Sequence, residues 1–336
     1  IDKLSDRVAH WITQDEPQCY LGFGHQTGEH APGLQLGFAE VLRACHHSLL
    51  AHGKSVQVIR SRAQQKPLIG AAPVGVIRMP ASTSNEDLAA ARAATFAITG
   101  KNCWSNTWFG DPMVFGHYPE EGVKLFHKEM PEVRNGDMET ICQPLDFYGT
   151  NIYFAETVRA QTPPLRGAGR VSLIDASEAD PHENTPLTPL KGGIHFETIS
   201  TLANPELTTM SWQITPEALY WGPRFLYERY QLPIVVTENG MANCDWIHLD
   251  GKVHDPQRID FLTRYLRAYH RAIAEGVVAK GYFVWSVLDN FEWGHGYRQR
   301  FGLIYVDYQT QQRVLKDSAH WYKQVIASHG EILDSN

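Results

Sequence analysis

Two glutamates in this chain stand where a pair of carboxylates could do chemistry. Glu16 lies in WITQDEPQCY (11–20), directly after a short strand-like run, and Glu238 lies in LPIVVTENGM (232–241), directly after an apolar run. In α/β barrels, residues at the carboxyl ends of the strands face the active-site mouth. Two carboxylates that flank a bond are what glycoside hydrolysis requires. On position alone, each glutamate is also compatible with an ion pair or a helix cap.

The elements that must position these glutamates alternate along the chain. Strands are predicted near 7–13, 72–77, 145–153, 233–237 and 282–287, and helices near 34–62, 84–98, 119–128, 216–230, 255–275 and 316–327. Ser84 is predicted to begin its helix, with Asp87 completing a capping box. Segments 14–33, 103–118 and 160–193 are predicted to be loops. Five strand–helix pairs predict a parallel sheet with helices outside it, whereas a closed (β/α)₈ barrel needs eight pairs.

Composition argues against several classes of protein. The 336 residues are 43% hydrophobic, and 30 basic against 37 acidic residues give a net charge of −7 with no basic block, which disfavours nucleic-acid binding. No apolar run reaches the roughly 18–20 residues of a membrane span. The cysteines are scattered and never in CxxC spacing; they are Cys19, Cys45, Cys103, Cys142 and Cys244. This pattern predicts free thiols in a reducing, cytoplasmic compartment.

Motifs spread over nearly the whole chain carry a family resemblance. In order, they are TQDEP (13–17), APG (31–33), DFYGTNIY (146–153), MSWQITPEAL (210–219), TENG (237–240) and GYFVWSVLDNFEWGHGYRQRFGLIYVDY (281–308). Together they resemble glycoside hydrolase family 1, the retaining β-glucosidases and their relatives. The resemblance implies an α/β fold of the (β/α)₈ TIM-barrel type, with residues 1–336 forming one catalytic domain.

The resemblance also assigns roles to the two glutamates and their neighbours. Glu238 is similar to the family nucleophile and Glu16 to the acid/base. Tyr153 is expected to donate a hydrogen bond to Glu238, although core packing is an alternative for its ring, and Asn151 is expected beside it. The implied reaction is a double displacement through a covalent glycosyl-enzyme, for which the carboxyl groups stand about 5–5.5 Å apart.

Three further residues resemble the part of the family site that binds sugar. Trp285 is similar to the aromatic wall of the glycone pocket, and Glu292 and Trp293 resemble the pair that binds sugar hydroxyls; plain core packing is the alternative for Trp293. Members that act on 6-phosphosugars have Ser at the position of Glu292, so a carboxylate there predicts a neutral glycone. Glu16 is Glu where the thioglucoside hydrolases have Gln, which predicts an O-glycosidase.

The chain departs from the family pattern in two ways. Asp15 stands where the family has Asn, and an ionised Asp can accept but not donate a hydrogen bond to the sugar 2-hydroxyl. This change predicts slower catalysis. Glu16 corresponds to the end of the family's fourth strand, so the chain is expected to lack the three N-terminal strand–helix units and to form an incomplete barrel equivalent to strands 4–8. A second copy of the chain is expected to cover the open edge, and a separate N-terminal fragment or a rearranged local segment of the chain are the alternatives.

The leading hypothesis is therefore a retaining β-glycosidase that hydrolyses terminal, non-phosphorylated β-D-glycosides, weakly or only when assembled. A catalytically silent carbohydrate-binding or structural remnant, and one half of a split enzyme, are the alternatives. No cofactor is implied, because two carboxylates and water suffice for the reaction. No metal site is predicted either, because His25 and His30 have no third ligand at matching spacing.

Overall fold

The computed structural model describes residues 1–161, 195–199 and 205–334. It divides the chain into two compact units. We call these the N-unit (Ile1–Asp146 with Glu156–Ala203) and the C-unit (Phe147–Ala155 with Asn204–Asn336). Except for residues 160 and 161, which continue a strand, the loop predicted at 160–193 lies outside the described residues.

Regular structure in the described residues consists of ten strands and nine α-helices. The strands are β1 (His10–Asp15), β2 (Leu68–Ala72), β3 (Ile77–Pro80), β4 (Tyr148–Asn151), β5 (Ala155–Gln161), β6 (His195–Ile199), β7 (Ile234–Asn239), β8 (Ala279–Val284), β9 (Ile304–Val306) and β10 (Arg313–Leu315). The helices are α1 (Pro17–Leu21), α2 (Phe38–Arg62), α3 (Asn85–Phe96), α4 (Asn106–Phe115), α5 (Glu120–Leu125), α6 (Asp137–Ile141), α7 (Ala218–Tyr230), α8 (Pro256–Ala274) and α9 (Asp317–Ala327). None of these helices combines the length and the apolar character needed to cross a bilayer.

The N-unit contains a parallel pair of strands and a second, three-stranded sheet. β1 runs parallel to β2, with Asp15 opposite Ala72, and the second sheet has the order β3-β5-β6. Helix α2 is amphipathic, because Val41, Cys45 and Leu49 recur every four residues and are all buried. These side chains pack in one apolar core with aromatic residues of α4.

The C-unit is built on a parallel three-stranded sheet with the order β4-β7-β8. Ile234, Val235 and Val236 of the central strand β7 are all buried, as expected for a strand that is covered on both faces. The register places Asn151, at the end of β4, opposite Glu238 in β7. The fold therefore brings two of the predicted site residues to the same end of one sheet.

Five strands were predicted, and the described residues form ten; the five predicted ones correspond to β1, β2, β4, β7 and β8, whereas β3, β5, β6, β9 and β10 were missed. Five of the described strands pair in parallel: β1 with β2, and β7 with both β4 and β8. The predicted strand at 72–77 is displaced, since the observed β2 ends at Ala72. Pro73 follows directly and has no backbone N–H to continue the ladder, so the proline closes the strand that it was expected to open.

Two segments predicted as loops are largely helical. Within 14–33, α1 begins with Pro17, whose fixed φ suits a first helical position. Within 103–118, the side chain of Ser105 accepts a hydrogen bond from the Trp108 N–H at 3.2 Å and begins α4. Trp108 and Phe109 are buried, so these two aromatic residues of the segment belong to the core.

The cap predicted for helix α3 is half confirmed. The Ser84 side chain accepts a hydrogen bond from the Asp87 N–H at 3.1 Å. The reciprocal bond of a capping box is not formed, because the Asp87 carboxylate accepts from Ser82 Oγ and from the Ala160 N–H. Asp87 therefore ties the helix to strand β5 as well as to its own first turn.

A buried histidine in α2 contacts the TQDEP segment. Nδ1 of His52 lies 2.6 Å from Oγ1 of Thr13, and Nε2 is buried without a hydrogen-bond partner in the described part of the chain. A protonated imidazole would need an acceptor at both nitrogens. Burial therefore lowers the pKa of His52 from 6.5 to about 4.

The buried, neutral His52 predicts that the folded state loses stability at acidic pH. The folded state holds His52 neutral, so the unfolded state takes up the proton first and stability falls as pH drops from about 6.5 through 4. The shift corresponds to about 3 kcal/mol of unfolding free energy. We expect urea unfolding of the wild type and His52→Gln, between pH 7 and pH 4, to give a shallower pH slope for the variant. Parallel curves for the two proteins would contradict this.

Candidate active site

The first contact of the predicted site is a short hydrogen bond in the C-unit. The hydroxyl of Tyr153 donates to Oε2 of Glu238 at 2.6 Å. Both side chains are half-buried, and Glu238 is the penultimate residue of β7. A hydroxyl that donates to a carboxylate stabilises its ionised form. The contact predicted between these residues is present, and it suits a carboxylate that must act as an anion.

Tyr153 is held from three sides. Its backbone carbonyl accepts from the hydroxyl of Tyr265 at 2.9 Å. Its ring lies against Trp212 and Phe301, with ring centroids 5.1 and 6.2 Å apart. Trp212 belongs to the motif MSWQITPEAL, but it was not predicted as a site residue. These contacts fix the direction in which the Tyr153 hydroxyl points.

Two buried asparagines complete the polar end of the sheet. Asn151 accepts a hydrogen bond from Oγ1 of Thr237. Asn239 donates to the carbonyl of Ile152 and accepts from the hydroxyl of Tyr282, both at 2.8 Å. Asn239 was not predicted as a site residue, although it is the third residue of TENG. Its two bonds join β7 to the segment after β4 and to β8, and so fix the backbone on both sides of Glu238.

Trp285 lies directly against the TENG turn. Its backbone N–H donates to the carbonyl of Asn239 at 2.9 Å. A Cβ atom added to Gly240 would lie 1.8 Å from the carbonyl oxygen of Trp285. Only glycine fits this close approach, which explains the glycine after Glu238 and Asn239. The structure thus brings Trp285 to the turn that follows Glu238.

Glu292 and Trp293 lie in a tight turn after β8. The Glu292 N–H donates to the carbonyl of Gly296 at 2.7 Å, and the carbonyl of Glu292 accepts from the His295 N–H at 2.8 Å. Trp293 has φ of 41° and is 62% exposed. That exposure excludes the alternative of plain core packing for Trp293 within the described structure, and it leaves the indole face accessible.

A buried ion network supports the loop that carries this turn. Asp289, three residues before Glu292, accepts from Nζ of Lys316 at 2.8 Å and from Nη1 of Arg300 at 2.6 Å. It also accepts from the Gly302 N–H at 2.9 Å. The two ends of the loop are therefore joined through one carboxylate.

The same network extends to helix α8. Lys316 also donates to Asp245, and Arg258 donates to Asp245 and Asp255, with the side chains of all four at most 1% exposed. Burial alone would raise the pKa of Asp245, but Arg258 and Lys316 outweigh it and lower that pKa. Sequence reasoning missed this network, because its partners are far apart in the chain.

In the N-unit, Glu16 has an unusual backbone conformation. It follows β1 directly, caps helix α1 and has φ of 43°, in the left-handed region. Left-handed backbone is uncommon for a residue other than glycine and costs free energy unless its surroundings enforce it. Here the Glu16 N–H donates to the carbonyl of Ala72 at 2.8 Å and its carbonyl accepts from the Cys19 N–H at 2.9 Å. Such strain is a recognised mark of functional positions.

The residues around Glu16 tie β1 to helix α2. Thr13 contacts His52, and Nε2 of Gln14 donates to the carbonyl of Ser48 at 2.5 Å. Asp15 is exposed at the end of the strand. Burial, followed by the nearby Glu16 carboxylate, raises the pKa of the Cys19 thiol, so Cys19 is a neutral neighbour of Glu16.

The predicted site residues thus fall in two groups. Asp15 and Glu16 are neighbours in the N-unit. The C-unit holds the remaining six, which are Asn151, Tyr153, Glu238, Trp285, Glu292 and Trp293. In the described residues, no three His, Cys, Asp or Glu side chains are grouped so that they could hold a metal ion.

The contact between Tyr153 and Glu238 gives a sharp prediction. Tyr153→Phe keeps the ring against Trp212 but removes the donor, and a hydrogen bond to a charged group is worth about 1.5–3 kcal/mol. We expect kcat for an aryl β-glucoside to fall about 10- to 100-fold. Tyr269→Phe is the matched control, because its hydroxyl donates to the carbonyl of Gly281 at 3.2 Å and not to a carboxylate. Equal kcat values for the two variants would contradict the prediction.

Comparison with known proteins places this geometry in context. The protein-family model described as Glycosyl hydrolase family 1 matches residues 1–331. The 1,4-beta-D-glucan glucohydrolase of Thermotoga neapolitana is 37% identical over 330 residues, and Beta-glucosidase A of Thermotoga maritima is 36% identical over the same length. Each alignment covers 98% of this chain, and the chain spans 66% of the length of each relative.

Solved structures agree with the sequence relatives. A solved structure of a family 1 β-glucosidase from Thermotoga maritima is similar to this chain, with a TM-score of 0.77 and 35% identity. A second structure, a β-glucosidase from Thermotoga maritima in complex with glucoimidazole, has a TM-score of 0.76 and 34% identity. In both cases the similarity covers 98% of this chain and 66% of the solved chain. The TIM-barrel type of fold predicted from the sequence is confirmed. The incompleteness of the barrel stays a prediction.

Proposed function

Because the chain belongs to glycosyl hydrolase family 1, we propose that it is an enzyme of the β-glucosidase type, which hydrolyses terminal β-D-glucosides with retention of configuration. The observation that carries the proposal is the 2.6 Å hydrogen bond from Tyr153 to Glu238. It orients a carboxylate and favours its ionised form at the end of a buried strand, as a nucleophile requires. The names of the relatives, glucan glucohydrolase and β-glucosidase, favour glucosides as the substrate class.

The proposed reaction divides the work between the two glutamates. Glu16, as an acid, protonates the leaving oxygen while Glu238 attacks the anomeric carbon and forms a glycosyl ester. Glu16, now a carboxylate, takes a proton from water, which attacks the anomeric carbon and releases the sugar and free Glu238. The left-handed backbone of Glu16 supports its role, because strain of that kind is maintained where a side chain must point in one direction.

The sugar-binding roles follow from the loop after β8. We assign Trp285 as a wall of the glycone site and Glu292 and Trp293 as groups that contact sugar hydroxyls. Glu292 in its anionic form would repel a phosphate, so the proposed glycone is neutral. A glucoside and a 6-phosphoglucoside of the same phenol test this directly, and faster turnover of the phosphorylated substrate would overturn it.

Proton NMR of the first product tests the proposed function. A retaining enzyme releases β-glucose from an aryl β-glucoside before mutarotation produces the α-anomer. We expect β-glucose first from the purified chain and no product from Glu238→Ala. First appearance of α-glucose would contradict the double displacement, and equal rates for wild type and variant would assign the turnover to a contaminant.

Asp15 predicts that the chain hydrolyses glucosides slowly. Interactions with the sugar 2-hydroxyl supply several kcal/mol in the transition state, and an amide can donate where an ionised Asp cannot. We expect Asp15→Asn to raise kcat/KM for an aryl β-glucoside about tenfold or more. Asp6→Asn, an exposed position of the same unit, is the control. A lower kcat/KM in Asp15→Asn than in the control would contradict this interpretation.

Homo-oligomerisation, or association with a separate N-terminal fragment, stays a prediction. Within the described residues, β1 pairs only with β2 and presents Ile12 at 45% exposure. This supports an additional contact along β1. Light scattering of the purified chain tests self-association, and a stable monomer that hydrolyses glucosides would overturn it.

A further inference from the structure

The residue before Tyr153 is attached to the strand of Glu238 at two points. The N–H of Ile152 donates to the carbonyl of Glu238 at 3.0 Å. Nδ2 of Asn239 donates back to the carbonyl of Ile152 at 2.8 Å. Because Tyr153 directly follows Ile152, these two bonds set where its backbone lies relative to Glu238. The second bond depends on a side-chain amide, which can turn unless its oxygen is also held.

The hydroxyl of Tyr282 holds that oxygen, because it donates to Oδ1 of Asn239 at 2.8 Å. The orientation of the amide follows from its partners, since the carbonyl of Ile152 can only accept and must face the NH₂ group. Burial raises the pKa of the Tyr282 hydroxyl well above its ordinary value, so the hydroxyl keeps the proton that it donates. Asn239 is 0% exposed, so bulk water cannot replace the hydroxyl as the donor to Oδ1.

Packing fixes the ring of Tyr282 independently of its hydroxyl. The ring lies 6.2 Å from that of Tyr269 in α8, measured between centroids. It also packs against a buried apolar cluster, which consists of Leu266, Val325 and Leu333. Phenylalanine at this position can make the same contacts, so Tyr282→Phe removes the hydroxyl and little else.

We propose that Tyr282 is a positioning residue for the nucleophile. Its hydroxyl fixes the amide of Asn239, and that amide holds the carbonyl of Ile152. The hydroxyl of Tyr153 is thereby kept at Oε2 of Glu238. This inference deepens the proposed function and rests on it, because Glu238 is a nucleophile only if the chain is a retaining hydrolase. The ionisation of Glu238 can nevertheless be measured without substrate.

Loss of the Tyr282 hydroxyl is expected to raise the pKa of Glu238. In Tyr282→Phe, Oδ1 of Asn239 loses its donor, so the amide shifts and Tyr153 is no longer held in place. Complete loss of a hydrogen bond to a carboxylate would raise its pKa by about 1–2 units. Tyr282 acts indirectly, so we expect a rise of about 0.5–1 unit. The acidic limb of kcat/KM for an aryl β-glucoside should move to higher pH by the same amount.

Carbon NMR of protein with isotopically labelled glutamate carboxyl groups measures this pKa directly. The resonance of Glu238 is assigned by its absence from Glu238→Gln, and wild type and Tyr282→Phe are titrated in parallel. Tyr118→Phe is the matched control, because its hydroxyl also forms a 2.8 Å hydrogen bond, to Nδ1 of the buried His46 in the N-unit. The control should lose stability but leave the titration of Glu238 unchanged.

A double variant separates positioning from general destabilisation. If Tyr282 acts through Tyr153, then Tyr282→Phe should neither shift the Glu238 titration nor lower kcat further in a chain that already carries Tyr153→Phe. A full additional effect there, an unchanged Glu238 pKa in Tyr282→Phe alone, or an equal rise in Tyr118→Phe overturns the inference.

The two readouts distinguish failure of this inference from failure of the proposed function. Turnover by the wild type, together with an unchanged Glu238 pKa in Tyr282→Phe, overturns this inference alone. A raised pKa in the variant, with no turnover by the wild type, overturns the proposed function and supports the positioning of Glu238 by Tyr282.

Discussion

Glu238→Gln is expected to lower kcat for an aryl β-glucoside on the order of 10⁴-fold or more, whatever the leaving group. The amide keeps the shape of the side chain and can still meet the hydroxyl of Tyr153. It cannot form the glycosyl ester, so the covalent route is closed for every substrate. The residual rate reflects binding and electrostatic stabilisation alone.

Glu16→Gln is expected to behave differently, and the difference assigns the two roles. General acid catalysis contributes about 10²–10⁴-fold when the leaving group needs a proton. A dinitrophenolate leaves without one, whereas a sugar alkoxide does not. We therefore expect bond cleavage in Glu16→Gln to be slowed far more for cellobiose than for a dinitrophenyl glucoside.

Glu197→Gln is the matched control, because Glu197 is a carboxylate of the N-unit that pairs with Arg159 near the surface. Its kcat should stay close to the wild-type value. A dependence on leaving group in Glu238→Gln, with none in Glu16→Gln, would reverse the proposed assignment. Unchanged kcat in both variants would remove these glutamates from the mechanism.

Asp289→Asn is expected to lower the free energy of unfolding by about 3–5 kcal/mol. The carboxylate is fully buried and accepts from Lys316, Arg300 and the Gly302 N–H. Asparagine keeps the shape of the side chain but removes the negative charge that balances Lys316 and Arg300. Water cannot compensate for the lost charge, because the Asp289 side chain is buried. Burial and the neighbouring Arg258 already lower the pKa of Lys316, and removal of Asp289 would lower it further.

Urea unfolding measures this effect, with Glu206→Gln as the control. Glu206 pairs with Arg264 at 2.8 Å but its side chain is 62% exposed, so its loss should cost less than about 1 kcal/mol. Because Asp289 joins the two ends of the loop that carries Glu292 and Trp293, KM for the glucoside should rise as well. Losses of similar size in the two variants would show that the buried network adds nothing beyond an exposed ion pair.

Local patterns in the sequence predicted those elements whose signals are local. The four-residue repeat of buried apolar side chains marked α2, Ser84 marked the beginning of α3, and the β-branched run before Glu238 marked β7. β2 was misplaced, because a proline can either begin or end a strand and the residues beside it do not decide which. α4 was missed, because most of its residues are buried and its sequence, which includes Gly110 and Pro112, shows no apolar repeat along one helix face.

Some features of the candidate site could likewise be predicted from the sequence, and others could not. The resemblance to a family identified Glu16, Glu238 and Tyr153, and the hydrogen bond between the latter two residues is present. The left-handed backbone of Glu16 could not be predicted, because it is imposed by the chain on both sides of the residue. In the ion network around Asp289, Lys316 contacts Asp289 and Asp245, which lie 27 and 71 positions away in the chain. A short stretch of sequence therefore cannot reveal the network.

The most direct test of the proposed chemistry is covalent trapping with a 2-fluoro-β-glucoside that carries a good leaving group. The fluorine slows both displacement steps, and the leaving group lets the first proceed, so a glycosyl-enzyme accumulates. We predict a mass increase of one 2-fluoroglucosyl group on the peptide that contains Glu238, and none in Glu238→Gln. A folded chain that stays unlabelled after long exposure, or that carries the label on another residue, would contradict the assignment of Glu238 as the nucleophile.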